Sequence, residues 1–520
     1  MIFWVLPNYG VKTIPVLRQL LEEFSREHPG IKVEVEVKNR RTLWQQLFLC
    51  LRRHPSQSSV SDRTRNRDLW SSEGDGYGPL TAPAPSDDAR GRKRDGVEAR
   101  GTQGSGPPEA EQLRQHPSQS YGYGGPPEAE QLRQPGNFRA PDLIQIPHHW
   151  TTVFSRLGLF QDLAEADWRL QGELPEILAR HCVLAGTDTF YSAPWWMEIT
   201  ALHSRTETLR CLNAGSESGF SSWESFIAAC EELRNRFGTS AADAVVSGRR
   251  LNHKRPGTGR PGRVHATGRP GDGFYPVINK AERNYITAGD VMPCVWNRGG
   301  DIFTADGGRS MIHKDEAVRG ITDYLRLAED GLMPVMEERG PVPVSLDDRT
   351  AAMAFCRRLP SLWKAGAAAR LRRDSSAGGA VRVLPFPGGG RSLICGHNLA
   401  MLRDCRCRRE AGILLKWLTA SEAQSRHARL IHAFPCRLSS LEELMDADRE
   451  NGRIYRQILS SGRVLPNVTV TPTCERLLDS ALWKTSLEIA GHASSGNSLA
   501  RKLITVQAEV DYLLSLYGDR

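Results

Sequence analysis

Two periods of apolar alternation open the chain, and together they set its fold class. Ile2 to Leu6 is a short unbroken apolar run, the pattern of a strand buried on both faces. Pro7 to Gly10 interrupts it. Thr13 then stands where it can cap a helix in which Leu17, Leu20, Leu21 and Phe24 recur at i, i+3, i+4 and i+7, with Pro15 tolerated in the first turn. Pro29-Gly30 ends that helix, and Ile31, Val33, Val35 and Val37 alternate with Lys32, Glu34, Glu36 and Lys38, which predicts a strand with one wet face. Strand, helix and strand in this order predict an α/β domain with parallel neighbours.

The same alternation returns later. Residues 141–146 read as a strand with Pro147-His148-His149-Trp150 at its carboxyl end, where ligands bind in open α/β sheets; this makes His149 and Trp150 candidates, against the alternative that Trp150 covers the sheet edge. Trp223 to Leu233 reads as a helix and Val291 to Phe303 as a loop-bearing turn. Val318, Ile321 and Leu325 mark another helix, closed by Gly331. Val381 to Leu384 is a strand, Pro385 to Gly390 a glycine turn, and Gly396 to Leu402 leads into a further strand. Ala411, Leu414, Leu415 and Leu418 form a helical stripe, and Ser421 with Gln424 makes a capping-box pattern.

Two stretches lack any such period. Residues 52–139 are rich in Pro, Gly, Ser, Gln and charge, and so are expected to remain disordered, because they cannot bury enough apolar surface to offset the entropy of ordering. The decapeptide at 106–115 recurs unchanged at 125–134, which indicates duplication inside an insertion. Residues 248–273 are a second, smaller insertion of the same kind.

At 520 residues the chain exceeds what one core usually holds, so two or three domains are expected. A net charge of +8 raises nucleic acid as a partner, but the densest basic runs, at 90–94 and 248–250, lie in loop-like stretches without aromatic neighbours, and no nucleic-acid role is expected. Ile2 to Leu6 is too short for a signal-peptide core and no basic residue precedes it, so no export signal is expected in the chain as written. Eleven cysteines without a C-x-x-C pair predict isolated thiols, not a metal site, and argue for a reducing compartment.

The densest chemistry lies in Phe190 to His203. There Pro194 precedes Trp195, Trp196 and Glu198, two indole faces beside a carboxylate, which suits a polyhydroxylated ring; the other reading is of two core aromatics. Nucleophile elbows, Walker-type loops and H-E-x-x-H helices are absent from the sequence. Glu198 and Asp301 offer the two carboxylates of a glycoside hydrolase, or hydrogen bonds to a ligand's hydroxyls, or a structural ion pair. Trp44, Trp150, Trp195, Trp196, Trp296 and Trp363 all fall near predicted loops, a distribution best accounted for by an aromatic-lined cleft.

The order of segments resembles the family 1 extracellular solute-binding proteins, the sugar-capturing components of bacterial ABC importers. The likeness runs through Phe3-Trp4, 29–33, 141–145, 157–160, 193–196, 223–226, Trp296 with Gly299-Gly300-Asp301, 330–332, 351–353, 385–390, 398–400 and 417–424. It implies two α/β lobes joined by crossing segments and closing on a sugar. Residues 1–193 and 395–440 would form one lobe, and 194–394 with the helices of 441–520 the other, Phe190 to Ala201 being a crossing. By resemblance Trp44, Trp150, Trp195, Trp196, Trp296, Asp301, Trp363 and Asn398 face the cleft. The resemblance also implies a saccharide ligand, a permease partner, a monomer in the periplasm or outside the cell, and neither catalysis, cofactor nor metal.

Overall fold

The computed structural model describes residues 1–7, 13–52, 138–166, 168, 174–184, 187–212, 219–237, 274–279, 286–334, 346, 350–359, 381–491 and 496–518. The insertion at 52–139, apart from its ends, the insertion at 248–273 and Trp363 lie outside the described residues. All described residues except Phe138 and Arg139 belong to one unit.

Six strands build the first lobe: β1 (Ile2–Val5), β2 (Glu34–Val37), β3 (Leu143–Pro147), β4 (Ala193–Ile199), β9 (Ile394–Met401) and β10 (Phe434–Pro435). They lie in the order β10-β4-β9-β3-β1-β2. β1 pairs with β2 and β3 in parallel, as the opening period predicts, with α1 (Thr13–Glu27) as the crossover. Leu17, Leu20, Leu21 and Phe24 of α1 are buried against Phe3, Val5, Leu143 and Leu399, so the helical stripe and one face of the sheet share a core.

The second lobe holds four strands in the order β6-β7-β5-β8: β5 (Ala201–Arg205), β6 (Tyr275–Asn279), β7 (Ala351–Cys356) and β8 (Val381–Leu384). Its core brings together Trp223, Phe226, Trp296, Tyr324 and Phe355 with residues of the last two helices, Thr471–Ala490 and Gly496–Tyr517. The stretch read as a turn at 291–303 begins as a helix, Ala288–Asn297, which carries Pro293 in its interior and opens on a Thr287–Asp290 capping box. Helices Leu438–Asp446 and Arg449–Ser461 join a third cluster, with Met197, Ile199, Ala201 and Val383, at the junction of the two sheets.

That junction is narrow. β4 belongs to the first sheet and β5 to the second, so the chain changes sheet at Thr200, whose N–H donates to Leu393 O at 2.9 Å. Ile199 N donates to Arg357 O at 2.9 Å and Ile394 N to Arg463 O at 2.7 Å, so four crossing segments are hydrogen-bonded side by side.

Within the first sheet, Pro194 pairs with Asn398 and Trp196 with His397, leaving Trp195 as an extra residue opposite β9. Such a bulge interrupts the alternation of faces. Trp195 and Trp196 therefore both contribute to the first-lobe core. Gly396 lies beside this irregularity: a Cβ there would sit 2.7 Å from Met197 Cα and 2.9 Å from His148 Cε1. We expect Gly396→Ala to destabilise the fold by about 1–3 kcal/mol, because β4 and His148 must both retreat. Urea unfolding measures this, and a midpoint equal to that of the parent chain would show that the close approach is dispensable.

Candidate functional site

A cavity of about 260 Å³ lies where the two sheets meet. The first lobe contributes Pro147, His148 and His149 from the end of β3, Trp196 and Glu198 from β4, Cys395, Gly396 and His397 from β9, and Arg40 from α2 (Arg40–Arg52). The second contributes His203, Thr287, Glu475 and Asp479, and the crossings supply Arg357, Arg358, Leu393 and Ile394. The bulge explains why β4 and β9 serve the cavity together. Trp196 pairs with His397 and Glu198 with Cys395, and residues directly opposite in a ladder project to the same side.

Charged groups in this wall are joined in pairs. Arg358 Nε donates to Glu198 Oε1 at 2.9 Å, and its guanidinium lies 5.6 Å from the centre of the Trp196 ring. The Cys395 thiol reaches the other Glu198 oxygen at 3.6 Å, while Arg357 pairs with Asp290 of the capping box. Across the cleft, His149 Nε2 lies 2.9 Å from Glu475 Oε2, with Arg40 3.5 Å from the other oxygen. His149 follows β3 in the first lobe and Glu475 is in the Thr471–Ala490 helix of the second. Trp196 packs on His397 with ring centres 4.5 Å apart.

Burial lowers the pKa of His148, His181 and His397 below the ordinary 6.5, assisted for His148 by the neighbouring His181 and His149 and for His397 by Arg40. His427, beneath Trp195, is pushed down to about 3 by burial. The Cys395 thiol is pushed up, first by burial and then by Glu198, and stays protonated.

Among the expected site residues, His149, Trp196 and Glu198 line the cavity. Trp44 and Trp150 pack edge to face, 4.8 Å between centres, in an aromatic group with Phe154, and Arg40 lies 5.9 Å above the Trp150 ring. Trp195 is fully buried and stacks on His427 at 4.2 Å. Trp296 donates to Asp301 at 3.1 Å, and Asp301 also accepts from Arg463 at 2.6 Å, which places both at a second-lobe ion pair outside the lining. Asn398 is buried, donating to Ser192 Oγ at 2.8 Å and Thr151 Oγ1 at 3.2 Å. Glu198 and Asp301 are thus not brought to one wall. Residues that the sequence did not single out include Arg40, His148, Arg357, Arg358, His397 and Glu475. Arg357-Arg358 directly behind the buried strand 351–356 was the available signal, since paired cations rarely follow such a strand without partners. Among the described residues no group of three or more His, Cys, Asp and Glu is arranged to hold a metal ion, and no helix is long and apolar enough to cross a membrane. All eleven cysteines are free thiols.

The family described as bacterial extracellular solute-binding protein matches residues 127–451. No curated protein matches the chain in sequence. Similar solved structures include the GacH receptor of Streptomyces glaucescens, solved unliganded and with acarbose, at 13% identity, a TM-score of 0.59, and 99% of this chain and 98% of that one covered. An ABC substrate-binding protein from Listeria monocytogenes in complex with cycloalternan is similar at 12% identity and a TM-score of 0.60, covering 99% and 98%. UgpB from Mycobacterium tuberculosis, in complex with glycerophosphocholine, is similar at 12% identity and a TM-score of 0.60, covering 98% of each chain. These likenesses show the fold.

The lowered histidines have a consequence for stability. Below pH 6.5 the unfolded chain takes up protons that the folded chain refuses at these positions, so stability falls as the pH falls and is flat with respect to them above about pH 7.5. Each such histidine contributes a slope of about 1.4 kcal/mol per pH unit in that window. Urea midpoints from pH 8 to pH 5 check this: His427→Gln, provided it folds, is expected to show a shallower decline, and an unchanged slope would show that His427 does not carry the effect.

Proposed function

The chain belongs to the bacterial extracellular solute-binding proteins, and from that premise we propose that, outside the cytoplasmic membrane, it captures a saccharide in the cavity between its two sheets and delivers it, chemically unchanged, to an ABC-type permease. The observation that carries the saccharide reading is the Trp196 face beside the Arg358–Glu198 pair in that cavity. An indole face accepts the C–H side of a sugar ring, while a guanidinium donates to and a carboxylate accepts from its hydroxyls. Both lobes supply walls, so a solute that touches both stabilises the closed arrangement over an open one. Complexes of the Streptomyces and Listeria proteins with acarbose and cycloalternan support the class of solute.

In this reading Trp196, Glu198 and His149 meet the solute or hold the wall that does. Trp195, Trp44, Trp150 and Asn398 support the first-lobe wall from behind, and Trp296 with Asp301 braces the second lobe.

Thermal unfolding against a panel of mono- and oligosaccharides tests the reading. Mass action predicts a stabilisation of about 2.7 kcal/mol at a hundredfold excess over Kd. Glu198→Gln is expected to lose the rise, Asp301→Asn to keep it, and no glycoside in the panel to be cleaved. Absence of a rise with every saccharide for the parent chain would overturn the proposal.

A further inference from the structure

Resting on the saccharide reading, we infer that the solute is a single uncharged sugar ring and that His148 is the residue that reads one of its hydroxyls. Size is the first ground. The cavity's 260 Å³ falls just below the roughly 300 Å³ at which small-molecule pockets usually begin, and among the described residues Trp196 is the one Trp, Tyr or Phe in its lining. A chain of sugar rings needs a longer groove and a stacking face for more than one ring.

Charge is the second ground. Each guanidinium in the wall already meets a carboxylate: Arg358 meets Glu198, Arg357 meets Asp290 and Arg40 meets Glu475. A phosphate or carboxylate on the solute would have to displace one of these partners, leaving a buried anion uncompensated. His148 and His397 add no positive charge at neutral pH, since burial holds them in the neutral form. The arrangement suits a solute whose groups both donate and accept hydrogen bonds and carry no charge.

His148 is the third. It is 4% exposed and lines the cavity, yet neither Nδ1 nor Nε2 makes a hydrogen bond of ordinary geometry, the His397 backbone being the one group near enough to favour a proton on the ring. Nδ1 of His397, opposite Trp196, is also unmatched. Buried polar atoms are seldom left so in a finished structure. A neutral imidazole donates at one nitrogen and accepts at the other, which a sugar hydroxyl can answer in either sense.

Calorimetric titration of the full chain with neutral hexoses and pentoses, with maltose and maltotriose, and with glucose 6-phosphate and glucuronate tests the inference. The expected result is binding of a neutral monosaccharide, with the disaccharide and the charged sugars weaker by roughly 100-fold. His148→Phe, which fills the space without a polar atom, is expected to weaken that monosaccharide about tenfold and His148→Gln less, with ligand-free unfolding as the check on folding. Maltose or maltotriose binding as tightly as any monosaccharide overturns the single-ring inference, and preference for glucose 6-phosphate or glucuronate overturns the uncharged one; both leave saccharide capture standing. A folded His148→Phe with unaltered affinity overturns the role of His148. If His148→Phe does not fold, His148→Gln and the size and charge series on the parent chain decide. Binding of no saccharide at all removes the reading beneath.

Discussion

The pairing of β4 with β9 is the constraint on which the rest depends. One extra residue in β4 puts Trp195 and Trp196 into the same core and turns Glu198 toward the cavity alongside Cys395 and His397. Directly beyond this pairing the chain passes at Thr200 into the second sheet, so the strand that shapes the cavity wall is also one of the crossings. Removing the extra residue would exchange the faces of everything beyond it in β4. Gly396 is required for the same reason, since the bulged strand and His148 press against its backbone.

Electrostatics refine that frame. Removing a guanidinium from water is tolerable only beside an anion, and the wall meets this condition locally, one carboxylate for each arginine. Asp290 serves twice, capping the Ala288–Asn297 helix and holding Arg357, so the start of a second-lobe helix is coupled to a crossing segment. His148 and His397 meet the same demand by remaining neutral.

Much of the architecture was legible in the sequence because it follows from local period. The α1 stripe was visible as a helical period, residues 2–6 as an unbroken apolar run, and 141–146 and 396–402 as further strand segments, and their order led to two linked α/β units. The helix at 288–297 was obscured by Pro293, which reads as a breaker until tertiary packing overrides it. The candidate site was harder to see. Aromatic residues stand out in a sequence, and Trp196 lies in the cavity, but Trp195 next to it stacks on His427, some 230 positions along the chain, and no local pattern shows which indole takes which place. Asp301 and Glu198 look alike as letters; Arg463 and Arg358, distant in sequence, give them different settings. His148 carried no signal of its own, because an unmatched ring nitrogen is a property of what surrounds it.

The contacts that His149 and Arg40 make with Glu475 join opposite walls through protein atoms alone. The two walls are therefore held to one another by protein contacts in the absence of any solute, and a solute touching both adds only the contacts it makes itself. What Glu475 adds to that hold is added for every solute alike, so any discrimination between solutes must come from the other groups of the wall.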